Sequence, residues 1–163
     1  MNGRFCMYIL GIDPGTRKMG YAILKLIKQK SSLKEAGFIE FDSSVLSEQM
    51  IKLDLELGKL FETHSIDEVA IESLFYAYNP KTIIKLAQFR GALCLRVLQQ
   101  TSNMYEYTPL QIKQSVTGNG KSTKDQVAFM VTRLLGLQEL KVSQDVTDAI
   151  AIALTHAQRI RVR

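Results

Sequence analysis

Apolar residues alternate with polar ones, or run together in short blocks, through the first forty positions, a pattern that predicts strands. Met7 to Asp13 is apolar and stops at Asp13-Pro14-Gly15, where proline and glycine both fit a tight bend. Gly20 to Ile27 and Gly37 to Phe41 predict two further strands, separated by the polar run Gln29 to Lys34. Three consecutive strands with short connections suggest an antiparallel meander. The period then changes. Leu46, Met50, Leu53, Leu57, Leu60 and Phe61 recur every three or four residues, the apolar stripe of a helix. Asp67 to Ser73 returns to strand, with Val69 and Ile71 on one face and Ala70 and Glu72 on the other. A helix over about Lys81 to Gln100, a strand from Asn103 to Tyr107 closed by Pro109, and a loop over Thr117 to Thr123 follow. Lys124 to Leu135 and Val146 to Arg159 complete the helices, the former ended by Gly136. Strands first, then helices alternating with strands, predict one α/β domain with a mixed sheet over residues 1–163, without repeat or internal boundary.

Composition narrows the class. With 163 residues, 46% apolar and 23% charged, the chain has the make-up of a folded globular domain. No apolar run reaches the ~18 residues of a membrane span. Phe5 to Ile12 is too short for a secretory signal. Cys6 and Cys94 have neither metal-ligand spacing nor a second pair, which suits two small hydrophobes in a reducing, cytoplasmic protein. The net charge of +5 says less than its distribution. Glu40 to Glu72 holds nine acids and two lysines; Ser73 to Lys124 holds seven bases and Glu106 alone. The second stretch can present a positive surface to a polyanion, or be a solvated basic face.

Four acids stand beside apolar sequence in three separate elements. Asp13 ends the first strand and Glu72 a later one. Asp145 and Asp148, three apart at the start of the last helix, share one helical face. Each acid has an ordinary structural use: Asp13 in an Asx turn, Asp145 or Asp148 at a helix start, Glu72 in an ion pair. Gathered together they would repel unless cations neutralised them. An oxygen-only set suits Mg²⁺ or Mn²⁺ rather than zinc. Two such ions can activate water and stabilise the leaving oxygen of a phosphodiester.

Gly11-Ile12-Asp13-Pro14-Gly15-Thr16, Ala70-Ile71-Glu72-Ser73-Leu74-Phe75 and the run Asp145 to Ala153 together resemble the RuvC family of bacterial Holliday-junction resolvases. The resemblance continues through Asn79, Lys85 to Gly91 and Lys113 to Gly118, and covers roughly residues 7 to 157 in order. It implies a ribonuclease-H-like fold, a five-stranded mixed sheet flanked by helices. It also implies a homodimer with one or two Mg²⁺ ions per subunit, Mn²⁺ being a plausible substitute. Such a dimer nicks opposed strands of a four-way DNA junction in recombination and repair, leaving 5′-phosphate and 3′-hydroxyl ends, with a RuvA–RuvB branch-migration complex as partner. By position, Asp13, Glu72, Asp145 and Asp148 are similar to the family's metal-binding acids. Phe75 is similar to its base-stacking aromatic, and Lys113 and Lys124 to its DNA-contacting lysines. A base stacked on an aromatic ring gains about 1–3 kcal/mol.

Some features read differently. The helix Lys81 to Gln100 is apolar around more than one stripe (Ile83, Ile84, Leu86, Phe89, Leu93, Leu95, Val97, Leu98), so its second side can pack on another subunit. Gly120-Lys121-Ser122 looks like the end of a phosphate-binding P-loop, but Ser115 stands where that motif needs glycine. A mobile basic loop in which Lys121 touches DNA is the better reading. His64 and His156 are isolated along the sequence; His156 could shuttle protons or simply pack in the core. An actin-like ATPase also begins Asp-x-Gly-Thr but needs two domains, and a non-catalytic nucleic-acid-binding member of the fold would bind DNA without nicking it.

Overall fold

A computed structural model describes residues 6–73, 79–138 and 141–160. The elements run β1 (Cys6–Asp13), β2 (Lys18–Ile27), β3 (Lys30–Glu40), α1 (Leu46–Thr63), β4 (Glu68–Glu72), α2 (Pro80–Gln100), β5 (Met104–Tyr107), α3 (Pro109–Thr117), α4 (Lys124–Leu134) and α5 (Gln144–Ile160). The sheet order is β3-β2-β1-β4-β5. The first three strands pair antiparallel, whereas β4 lies parallel to β1 and β5 parallel to β4. Helical crossovers supply the long connections that parallel pairs require.

The side-chain alternation of β1 and β4 divides the core into two layers. Leu10, Ile12, Val69 and Ile71 meet Leu53 and Leu57 of α1 and Phe89, Leu93 and Val97 of α2. Ile9, Ala22 and Ala70 face the other way, toward α5 and the buried valines of α4. From Val146 to Ala157 only Asp148 of α5 is not buried, and alanines at 149, 151, 153 and 157 keep that helix thin. The sheet answers with glycine. A Cβ on Gly11 would lie 2.3 Å from the Ala149 carbonyl oxygen, and one on Gly20 would lie 2.0 Å from that of Asp145. Two missing side chains thus let α5 rest directly on β1 and β2.

Two expectations need correction. β3 begins at Lys30 rather than Gly37, so most of the polar run is strand. It is an edge strand with one face toward water, where Ser32 and Lys34 are exposed while Ser31 and Leu33 are half-buried. The span 109–117 is a helix that apolar periodicity did not predict because it is only nine residues long. Its signals were local: a capping box between Thr108 and Gln111, Pro109 in the first turn, and Gly118 at φ 78°. Gly136 does close α4, at φ 64°, with the Gly136 and Leu137 amides donating to Arg133 and Thr132.

Candidate active site

Asp13 and Glu72 are the last residues of β1 and β4, and the parallel register pairs Ile12 with Ile71 just before them. The two acids therefore leave adjacent strand ends side by side. Alternation turns both toward the α5 face, on which Gly11 and Ala70 also lie. Asp13 pairs across the hairpin with Gly20, the residue that the Asp145 backbone covers. Asp148 follows one turn along α5. The carboxyl ends of parallel strands are where α/β sheets hold their ligands.

These acids feel one another. Asp13 is pushed up from 3.8 to about 7, first by burial and then by the charges of Glu72, Asp148 and Asp145. Burial, then Asp148, raises Glu72; burial also raises Asp148, against a 2.8 Å hydrogen bond that Gln144 Nε2 donates to it. Lys124 opposes the rise in all three. Lys18 Nζ lies 3.5 Å from Asp145, and Lys124 Nζ lies 3.9 Å from Asp148. No three acids among the described residues close round a common point. The donor chemistry nevertheless suits a hard divalent cation: carboxylate oxygens, half-buried, with positive charge the missing component.

Beside them opens a cleft of about 290 Å³ lined by Glu72, Lys113, Lys124 and Asp148, among others. Lys113 on α3 and Lys124 at the start of α4 thus stand with two of the acids. Lys121 does not: it lines a separate cleft on the other flank of α3, with Gln111, Gln114 and Arg159. Gly120-Lys121-Ser122 follows helix α3 rather than a strand, so it is not a P-loop. Phe75 lies outside the described residues. His156 is a core residue, 2% exposed, held between Tyr107 Oη at 2.6 Å and Glu68 Oε2 at 2.5 Å.

Sequence reasoning missed two supporting residues. Lys18 neutralises Asp145, and only the hairpin brings it there. Arg90, 8% exposed on α2, donates from Nη1 to the Glu72 carbonyl at 2.7 Å and pairs through Nη2 with Glu106 at 2.9 Å, fixing the end of β4. An arginine in an otherwise apolar helix face (Phe89, Leu93, Val97) was the available signal.

The sequence profile of Crossover junction endodeoxyribonuclease RuvC matches residues 9–156. The chain belongs to the RuvC family. The RuvC of Aliarcobacter butzleri is 58% identical over 154 residues, 94% of this chain and 100% of that one. The RuvC of Helicobacter pylori is 54% identical, over 96% and 99% of the two chains. Among solved structures, Thermus thermophilus RuvC in complex with Holliday junction substrate superposes with a TM-score of 0.87 at 28% identity, covering 96% of each chain. The five-stranded mixed sheet with its helices is accordingly the RuvC, ribonuclease-H-like fold, and the family is one of nucleases. No helix among the described residues is long and apolar enough to cross a membrane.

Proposed function

We propose that this RuvC-family endonuclease resolves four-way DNA junctions in homologous recombination and repair, nicking two opposed strands symmetrically. Asp13, Glu72, Asp145 and Asp148 are the residues to hold one or two Mg²⁺ ions, with Mn²⁺ as a substitute. The observation that supports this reading is that carboxylates from β1, β4 and α5 lie near enough for Glu72, Asp148 and Asp145 each to add to the rise that burial gives Asp13. When bound, such ions polarise a phosphodiester and lower the pKa of water for in-line attack. The chain's own residues do the rest. Asp13 and Glu72 offer charge on rigid strand ends, and Arg90 keeps the end of β4 in place through the Glu72 carbonyl. Lys113 and Lys124 give point charges for the DNA backbone next to the acids, and the exposed Lys121 extends the positive surface beyond α3. Phe75, three residues past Glu72, is proposed to stack on a base at the junction centre.

Coupled cuts need two active sites, and the apolar face of α2 supports a homodimer. Ile84 is 60% exposed, Leu95 60% and Leu98 50%, beside Ile51 and Leu55 of α1 at 63% and 58%. A RuvA–RuvB complex in the cytoplasm would deliver the junctions. The test is incubation with a synthetic four-way junction and a matching linear duplex, with and without Mg²⁺. Paired symmetric nicks in the branched, Mg²⁺-containing reaction support the proposal. Equal cutting of duplex and junction, or no cutting of either, refutes it.

A further inference from the structure

The row that carries Asp13 continues across the sheet. Asp13 of β1 pairs with Gly20 of β2, and Gly20 pairs with Phe38 of β3. Paired residues of an antiparallel ladder put their side chains on one face, so Asp13, the bare Gly20 and Phe38 all stand on the α5 side. Asp145 fills the gap over Gly20, where an added Cβ would lie 2.0 Å from the Asp145 carbonyl oxygen and 3.2 Å from its Cβ. Asp145 therefore has Asp13 on one side and Phe38 on the other, the outer two α-carbons being two strand spacings, about 10 Å, apart.

Lys18 joins the Phe38 end of the row. It pairs with Glu40, which makes Phe38 its diagonal neighbour. Its Nζ lies 3.9 Å from the centroid of the Phe38 ring and 3.5 Å from Asp145 Oδ2. Phe38 is 47% exposed, so its ring is open to water on an edge strand beside the acids. Two weak contacts thus hold a flexible lysine at one point. They differ in what displaces them. A divalent cation on Asp145, or a phosphate on Lys18, competes for the ion pair; neither competes for the ring. An ammonium with three N–H groups can keep a π face on one side and take an anion on another. Phe38 would keep the charge at this corner while Asp145 is engaged elsewhere, with the cost of ordering the lysine already met.

The acids then have cations on both flanks. Lys113 and Lys124 share a cleft with Glu72 and Asp148 on the β4 side, and Lys18 stands on the β2–β3 side. We propose that Lys18 holds a phosphate flanking the scissile one, on the flank away from Lys113 and Lys124, with Phe38 as its positioning residue. This rests on the junction-nicking reading and adds to it the direction in which the cut strand crosses the acids, from the α3–α4 wall to the edge of the sheet.

The experiment uses the full chain in an Asp13→Asn background that does not cut, with Mg²⁺, and reads affinity for a four-way junction. Lys18→Met should weaken binding about three- to tenfold and lower the slope of log affinity against log salt by about 1. Phe38→Leu should weaken it about two- to fivefold, and Phe38→Tyr, which keeps a π face, should match the background protein. Junctions carrying one uncharged methylphosphonate, placed in turn at each phosphate around the nick, identify the contact. At one flanking phosphate the substitution should weaken the background protein as much as Lys18→Met does, and should weaken Lys18→Met no further. Variants that shift only the melting temperature, with an unchanged salt slope, overturn the proposal. So does Lys18 coupling to no phosphate or to the scissile one itself, or Phe38→Leu binding as tightly as Phe38→Tyr. A chain with the native Asp13 that nicks no junction would instead overturn the endonuclease reading beneath it.

Discussion

Replacing Asp13 with asparagine should make the fold more stable while abolishing cleavage. The native carboxyl sits at the end of β1, half-buried, with Glu72, Asp145 and Asp148 adding negative charge. Lifting it from 3.8 to about 7 corresponds to roughly 4 kcal/mol, at about 1.4 kcal/mol per pH unit, if water were wholly excluded. Solvent at a half-buried group lowers that to about 2 kcal/mol. The sign follows from proton counting. Between pH 4 and 7 the folded state holds a proton that the unfolded chain has released, so stability falls as pH rises through that window, and the whole cost is present above 7. Asparagine carries none of it. In metal-free buffer at pH 8 the variant should therefore melt about 4–8 °C above wild type. Near pH 4 the two should melt together. Added Mg²⁺ should raise the wild-type Tm at pH 8 and move the variant much less, since the ion supplies the neutralising charge that asparagine makes unnecessary. Calorimetry across pH with a parallel junction-nicking assay checks this. A variant that melts at or below wild type at pH 8, or that still nicks at the wild-type rate, refutes the convergence of charge at Asp13.

The supporting residues give sharper expectations. Lys113→Ala and Lys124→Ala should each weaken junction binding and lower the slope of log affinity against log salt by about 1, read by titration at several salt concentrations. Gly20→Ala places a Cβ 2.0 Å from the Asp145 carbonyl oxygen, so α5 must move; nicking by the folded variant should fall about a hundredfold, in a single-turnover assay. Arg90→Met leaves the Glu72 carbonyl without its donor and should cost about 2 kcal/mol by denaturant titration. Leu95→Asp should convert a dimer at micromolar concentration into monomer by sedimentation; a wild type already monomeric there refutes the α2 interface.

Most of the fold was legible because its periods are clean. The stripe of α1 and the alternation of β4 come from elements with one buried and one wet face, or two unlike buried faces, and that contrast is written in residue type. The edge strand β3 was under-read because half of its side chains face water, so its polarity resembled a loop. The brevity of α3 hid it, although Thr108, Pro109 and Gly118 marked both of its ends. For the site, two acids could be placed at strand ends and two on one helix face. What the sequence could not carry was the crossing of α5 over Gly11 and Gly20, which brings those elements to one corner. A glycine that marks a close approach looks the same as one in a turn until its partner is known.

The charge arrangement also explains why basic and acidic stretches coexist at this corner. Carboxylates held near one another by rigid strands cannot relieve their repulsion by moving apart; they can only be protonated or neutralised. Lys18 and Lys124 reach two of them from the hairpin and from the start of α4, at 3.5 and 3.9 Å, with Asp145 and Asp148 side chains still about a third exposed. Such pairs are weak enough to be exchanged, because exposed ion pairs contribute on the order of 1 kcal/mol or less. On the proposed reading, a divalent cation held by these acids would leave Lys18 and Lys124 available to the DNA backbone. Ion and DNA would then favour one another's binding, each supplying the partner that the other leaves without one.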